Sequence, residues 1–395
     1  MEQEFEIFLV AAPGLEDMLQ AEARALGFAG PAVVPGGVVT SGGWPEVWRA
    51  NLMLRGATRV LVRFASFRAM HLAQLDKRAR KVDWASVLRA DVPVRVEATC
   101  HASRIYHAGA AAQRITRAIA ETLGAPVIEG PKTKPKGPKN GDDDDDAPAL
   151  ATGPAPVRVM ARIDDDLCTL SLDASGEGLH KRGHKPAVGK APMRETLAAL
   201  FLAQCGYTGT EPVLDPMCGS GTFVIEAAEI ALGLAPGRSR GFAFERLAGF
   251  DPAAWDAMRA AVRPRALPEG LRFHGSDRDA GAVKMSIANA ERAGVDAVTE
   301  FRNAAFSDIA APGGPPGLVM VNPPYGTRIG NRKLLFGLHG ALGEVLRTRF
   351  KGWRVGIVTS DGGLAKSTGL PFLPPGPPVP HGGLKVKLYR TDPLR

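Results

Sequence analysis

Apolar positions along the first half of the chain switch between a strand-like and a helical period. Residues 5–10 (FEIFLV) form a short apolar run that predicts a strand. Pro13 and Gly14 then turn the chain into a helical run over residues 15–26, closed by Gly27. A helical stretch near 44–54 precedes a strand at 59–64 (RVLVRF), and 92–98 (VPVRVEA) alternates as another. It leads into a helix over about 108–123, with Gly124 as its stop. Residues 157–172 (VRVMARIDDDLCTLSL) predict a hairpin that turns at Asp164 to Asp166 and completes the same sheet.

Between that helix and the hairpin the pattern breaks. Residues 130–156 set Lys132, Lys134, Lys136 and Lys139 against a block of five acids, Asp142 to Asp146. Such a stretch cannot bury apolar surface, and its charges largely cancel. It is expected to be a disordered surface insertion and not a domain boundary.

From about residue 190 strands and helices alternate regularly. A helix at 192–205 precedes a strand at 212–214, a Gly-rich turn and a helix at 222–234. A strand at 271–274 is followed by a helix at 279–293, and a further strand is expected over 299–305. The apolar run 318–321 ends in a Pro-rich loop before a helix at 334–350, then strands follow at 354–359 and, as a last edge strand, 384–389. This alternation predicts a mostly parallel sheet with helices on both faces. Ligands then belong at the carboxyl ends of its strands.

Composition narrows the function classes. A chain of 395 residues, 45 % hydrophobic, has room for two or three domains. The net charge of +8 suits a polyanionic partner without establishing one. Cys100, Cys168, Cys205 and Cys218 are far apart, and the eight histidines show no ligand spacing, so neither a disulfide framework nor a metal site is expected. The acidic start and the lack of 18 consecutive apolar residues support neither export nor membrane insertion, and the cytoplasm is the expected location.

Asp215-Pro-Met-Cys-Gly-Ser-Gly-Thr222 follows the strand at 212–214. Gly219 and Gly221 permit a tight turn and close approach of backbone to a ligand, and the next helix aims free amides at the same place. A dinucleotide fingerprint would need a third glycine where Val224 stands, and a phosphate-binding P-loop would need a lysine that is missing. The loop resembles the S-adenosylmethionine-binding motif of class I methyltransferases that act on exocyclic amines. That resemblance implies that Asp277, at the end of the next strand, holds the cofactor ribose. It also calls for an acid near the end of the third strand, where Ala304 and Ala305 stand, leaving Asn303 or Asp308 for the adenine. Thr196, Asp215, Cys218, Gly219, Gly221, Thr222, Asp277 and Asn303 are the candidate cofactor residues.

Asn322-Pro-Pro-Tyr325 lies about 107 residues after Asp215, at the end of a strand. An aromatic exocyclic amine has its lone pair delocalised into the ring and attacks poorly. The Asn322 side-chain carbonyl and the Pro323 main-chain carbonyl can accept its two N–H bonds and turn the lone pair toward a methyl donor. Pro323 and Pro324 stiffen the loop so that these acceptors are preorganised. Tyr325 offers a face for an extruded base.

Other segments bear on the substrate. Residues 322–330 (NPPYGTRIG) are similar to the matching run of RNA guanine-N2 methyltransferases. Residues 175–183 (SGEGLHKRG) and 191–198 (APMRETLA) resemble the linker of the same family, with His184 in place of the usual tyrosine. The insertion at 236–268 resembles one found in bacterial ribosomal-RNA methyltransferases, and residues 103–107 (SRIYH) resemble part of a THUMP domain.

The whole resembles the bacterial 23S ribosomal-RNA guanine-N2 methyltransferases, in a form without the second methyltransferase domain that some members carry. The resemblance implies an N-terminal ferredoxin-like region (1–58), a THUMP RNA-binding domain (59–176) and a class I, Rossmann-like, doubly wound methyltransferase domain (177–395). It implies S-adenosyl-L-methionine as cofactor and RNA as partner, 23S ribosomal RNA or alternatively transfer RNA, with a monomer expected. Ser103, Arg104, His107, Lys181 and Arg182 are the candidate RNA contacts, with Arg114 and Lys185 nearby. A DNA adenine methyltransferase would need a target-recognition insert that the chain does not display. A non-catalytic RNA-binding or assembly factor would have no need of the two intact loops.

Overall fold

The computed structural model describes residues 4–128, 155–185, 193–325 and 332–395, so nearly all of the Lys/Asp-rich stretch lies outside the described residues. The chain divides into two compact units, neither continuous in sequence. The first comprises Met1–Ala11, Gln20–Leu179 and Arg240–Ala261; the second comprises Ala12–Leu19, His180–Ser239 and Val262–Arg395.

The first unit is built on one seven-stranded sheet in the order β2-β3-β1-β4-β7-β6-β5. Its strands are β1 (Phe5–Val10), β2 (Ala29–Val34), β3 (Gly37–Gly42), β4 (Arg59–Arg68), β5 (Val94–His101), β6 (Val157–Asp164) and β7 (Leu167–Asp173). Between them run α1 (Glu16–Ala25), of which this unit holds the part from Gln20, α2 (Trp44–Met53), α3 (Leu72–Ala79) and α4 (Ala108–Leu123). β4 pairs antiparallel with both β1 and β7, so the ferredoxin-like strands and those that follow share one sheet. The expected hairpin joins β6 to β7, with Asp165 and Asp166 at φ +49° and +58°. Two left-handed residues give the turn whose twist matches paired strands, and aspartate tolerates that conformation.

α4 buries Ala111, Ile115, Ala118 and Ile119, one helical stripe, and ends at Gly124 with φ +75°. The segment Arg240–Ala261 completes this unit with α7 (Pro252–Ala261). Phe244, fully buried, lies 5.0 Å from both Phe242 and Trp255 and 6.3 Å from Trp48 between ring centroids.

The second unit carries the sheet β10-β9-β8-β11-β12-β14-β13. These strands are β8 (Val213–Asp215), β9 (Phe273–Asp277), β10 (Thr299–Asn303), β11 (Leu318–Val321), β12 (Arg354–Thr359), β13 (Val379–His381) and β14 (Leu384–Arg390). Only β14 runs against the others. The strand expected at the edge, β14, is therefore interior, because β13 covers it. Val-Pro-His is too short and Pro-bearing to read as a strand.

The helices of this unit are α5 (Glu195–Gln204), α6 (Thr222–Leu232), α8 (Ala280–Ala293), α9 (Arg332–Arg349) and α10 (Gly362–Ser367). α5 and α6 pack with Val213, Leu318, Val386 and Leu388 into one core, whereas Leu342 and Leu346 of α9 join Val319, Val321 and Ile357 in another. Alternate residues of each strand thus feed two helix layers, as a doubly wound sheet requires.

Candidate active site

The strand order reverses between β8 and β11, which pair in parallel through Leu214 and Val319. From β8 the sheet continues to β9 and β10, and from β11 to β12. Such a switch point opens a crevice at the carboxyl ends of the two strands. Asp215 ends β8, and Asn322 follows the last residue of β11.

The loop after β8 is clamped from several sides. Cys218 N donates to Ser276 O at 2.9 Å, and Gly219 N donates to Asp277 Oδ2 at 3.0 Å. From α8, Ser286 Oγ donates to Gly219 O at 2.9 Å and Asn289 Nδ2 to Ser220 O at 3.0 Å. Gly219 and Gly221 take φ +54° and +82°, and Gly221 is the residue before α6. A Cβ on Gly219 would meet nothing within 4 Å, so that stretch of backbone faces open space. A Cβ on Gly275 would come within 2.5 Å of the Phe301 ring, which explains a glycine inside β9.

Asp277 is not the residue that caps α8. Its Oδ1 accepts from Asp279 N at 2.9 Å, while Asp279 itself caps α8 through Gly281 N. Asn303 Nδ2 donates to Asp277 O at 2.9 Å, so Asn303 stands beside Asp277 at the end of the third strand. Asp308 is exposed and accepts from Ser307 Oγ. Asp215 is buried and accepts Met217 N at 3.0 Å; burial, with a smaller push from Asp277, raises its pKa to about 8. That shift favours the neutral form of its carboxyl. Cys218 is buried near Ser286, and burial keeps its thiol protonated.

Thr196, 1 % exposed, has a hydroxyl without a hydrogen-bond partner among the described residues, and so has Ser276. Thr222 opens α6 and accepts from Lys185 Nζ at 2.6 Å. That ammonium also lies 3.0 Å from Glu195 Oε1 and 3.3 Å from Met193 O. Lys185 was expected near RNA; instead it is buried and holds α5 to α6.

Arg182 requires the same correction. Its side chain is 2 % exposed and lies 3.5 Å from Glu226 Oε1, so it stands in the interior and not at an RNA surface. A buried guanidinium needs such a carboxylate beside it. Its neighbour Lys181 is half-buried. In the first unit, Ser103 bridges His101 O and Asp166 N, His107 Nδ1 caps α4 through Ala110 N, and Arg104 keeps 71 % of its side chain exposed, 3.8 Å from Asp166. The contributions of Lys185, Ser286 and Asn289 were not legible in sequence. The one available signal was the polar stripe Thr222, Glu226 and Glu229 on an otherwise apolar helix.

Asn322 Oδ1 is buried and has no hydrogen-bond partner among the described residues. Buried amide oxygens are rarely left so, because an unmet acceptor costs about 1–3 kcal/mol. Pro323 is buried, and Tyr325 packs against the α5–α6 core, where burial pushes its phenol up to about 12. Residues 326–331, which follow in sequence, lie outside the described residues. No group of three or more His, Cys, Asp or Glu side chains suited to a metal occurs among the described residues, and no described helix is long and apolar enough to cross a membrane.

The open backbone at Gly219, the fixed Asp277 carboxylate and the unpartnered hydroxyls fit S-adenosyl-L-methionine, which offers ribose hydroxyls, an amino-acid end and a cationic sulfur. Comparison with known proteins agrees. Residues 182–369 match the model of the UPF0020 RMKL-like methyltransferase domain, and residues 6–61 match that of the RlmL ferredoxin-like domain. SMU.472, named as a candidate methyltransferase and solved with SAH, is 26 % identical over the whole of both chains, with a TM-score of 0.84. A Listeria monocytogenes protein described as a predicted N6-adenine-specific DNA methylase is 28 % identical over 98 % of this chain and 96 % of its own, with a TM-score of 0.82. TrmN from Thermus thermophilus, 19 % identical over 99 % of this chain and 100 % of its own, shares the fold with a TM-score of 0.71. The chain is an S-adenosyl-L-methionine-dependent class I methyltransferase that joins an RlmL-like ferredoxin-like domain to an RMKL-like methyltransferase domain.

Proposed function

We propose that the chain methylates the exocyclic N2 amine of a guanine in RNA, with 23S ribosomal RNA as the substrate and transfer RNA as the alternative. The observation that carries this reading is the buried Oδ1 of Asn322 at the end of β11, which has no hydrogen-bond partner among the described residues. An acceptor held empty at the switch point suits a substrate that brings its own N–H donor. When bound, S-adenosyl-L-methionine supplies an electrophilic methyl group.

The chain's own residues do the rest. Asn322 Oδ1 and the Pro323 carbonyl accept the two amine N–H bonds and orient the lone pair; the same oxygens stabilise positive charge as it develops on nitrogen. Tyr325 stacks on the extruded base, its hydroxyl kept protonated by burial. No strong base is required, because the amine proton can leave after transfer. Catalysis is then chiefly positioning. The RNA reading rests on the resemblance of residues 103–107, 175–183 and 322–330 to RNA guanine-N2 methyltransferases.

Adenine N6 offers the same pair of N–H donors, and the Listeria relative carries that title. Nucleoside mass spectrometry of ribosomal and transfer RNA and of DNA from a deletion strain separates the readings. N2-methylguanosine should be missing from one RNA and should return with the wild-type gene but not with Asn322→Ala. Loss of N6-methyladenine from DNA, with RNA unchanged, would replace this function with the other.

A further inference from the structure

The carboxyl rim of the sheet in the second unit is electrically divided. Beyond β9 and β10 it carries Asp277, Asp279 and Asp308 against Arg278. Beyond β11 and β12 and along the start of β14, the described residues carry Arg332, Lys385 and Lys387 beside the carboxylate of Asp361. A cationic cofactor belongs on the first half. The second half has the sign that a polyanion needs.

Strand register places the lysines at that rim. Thr359, the last residue of β12, pairs with Lys387, and Ile357 pairs with both Val321 and Tyr389. Lys387 therefore stands two residues nearer the rim than the last paired residue of β11, at the level of the Asn322 loop and two strands away. Adjacent strands lie about 4.8 Å apart, so the lateral offset is roughly 10 Å. A nucleotide whose base reaches Asn322 keeps its neighbouring phosphates within a lysine side chain of that hairpin.

The faces agree as well. Val386 and Leu388 are buried in the α5–α6 core, which puts Lys385, Lys387 and Tyr389 on the opposite face. Tyr389 lies against the start of α10, beside Asp361, and Asp361 Oδ2 is 3.5 Å from Arg332 at the start of α9. Arg332 has 78 % of its side chain exposed and Lys385 is exposed, and no carboxylate lies within 4 Å of Lys385 or Lys387 among the described residues. Lysines often guard a sheet edge against pairing. Here they sit on an interior strand, and the edge strand β13 is already blunted by Pro380.

We propose that Lys385 and Lys387, with Arg332 beside them, hold the phosphates of a single-stranded RNA segment that flanks the target base. This surface adds to the RNA reading above and rests on it.

The experiment uses the full-length protein, a labelled 20-nucleotide single-stranded RNA for binding, and total RNA from a strain lacking the protein for methyl transfer. Each phosphate contact on a single strand contributes about 0.7 to the slope of log affinity against log salt. Lys385→Ala with Lys387→Ala should therefore lower that slope by about 1.4 and raise the KM for RNA roughly tenfold, with S-adenosyl-L-methionine affinity unchanged. Lys385→Arg with Lys387→Arg should keep the wild-type slope. Should the alanine pair lose cofactor binding, Lys385→Gln and Lys387→Gln made singly should each lower the slope by about 0.7. Variants with the wild-type slope and KM would overturn the phosphate surface. A wild-type protein that transfers no methyl group to RNA would overturn the RNA reading itself.

Discussion

Lys185 Nζ donates to Thr222 Oγ1 across 2.6 Å, tying the segment before α5 to the first residue of the cofactor helix. The same ammonium lies 3.0 Å from Glu195 Oε1, and both side chains are about nine-tenths buried or more. Removing one partner of a buried pair leaves a desolvated charge, at a cost of about 3–5 kcal/mol. Lys185→Met should lower stability by that order, measured as a shift of the urea midpoint at pH 7. Lys185→Met with Glu195→Gln should recover much of the loss. A single variant as stable as wild type would mean that the ammonium is not held as described.

Asp277 accepts the loop amide of Gly219, and its proposed role is to hold the cofactor ribose. Asp277→Ala should weaken S-adenosyl-L-methionine binding by about 1–3 kcal/mol, the range for lost hydrogen bonds to a charged acceptor. Calorimetry on the full chain tests this, and unchanged affinity would remove Asp277 from the cofactor site.

Asn322→Ala should leave cofactor and RNA affinities nearly intact and lower the single-turnover rate about a hundredfold or more, as for loss of a preorganised polar group. Tyr325→Ala should also lose rate, whereas Tyr325→Phe should keep most of it, since the ring face is what holds the base. Wild-type single-turnover rates in Asn322→Ala would refute amine positioning and favour an assembly factor.

Asp215 links stability to pH. Burial raises its pKa in the folded chain from 3.8 to about 8. Between those values it is neutral when folded and ionised when unfolded, so its contribution is full below about pH 4 and is lost as pH rises through 8. Asp215→Asn does not titrate. The stability of the variant relative to wild type should therefore climb from pH 4 to 8 and level off above, as read from urea midpoints across that range. A constant difference would show that Asp215 is ionised in the folded protein.

The sequence was most readable where period and punctuation coincide. β1, α4, β11 and β12 carry clean apolar runs or stripes, and their bounds were read to the residue. β2 was missed because its AGPAVV run contains glycine and proline, and α3 because eight residues, half of them polar, give little stripe. Both loops of the candidate site were legible because each is contiguous. What surrounds them was not. Arg182 and Lys185 read as surface cations because Glu226 lies 44 residues beyond Arg182 and Glu195 is masked by an apolar helix, and burial is decided by those partners.

The interruption of each unit by the other has a consequence for synthesis. The strands of the first sheet have all been made by Asp173, but Phe242, Phe244 and Trp255 come from a segment roughly 70 residues later. At translation rates of about 5–20 residues per second, that is roughly 4–14 s during which Trp48 has no covering rings. A nascent chain in that window offers an apolar face to chaperones and to other nascent chains, and closes it only after α6 of the second unit has already been made.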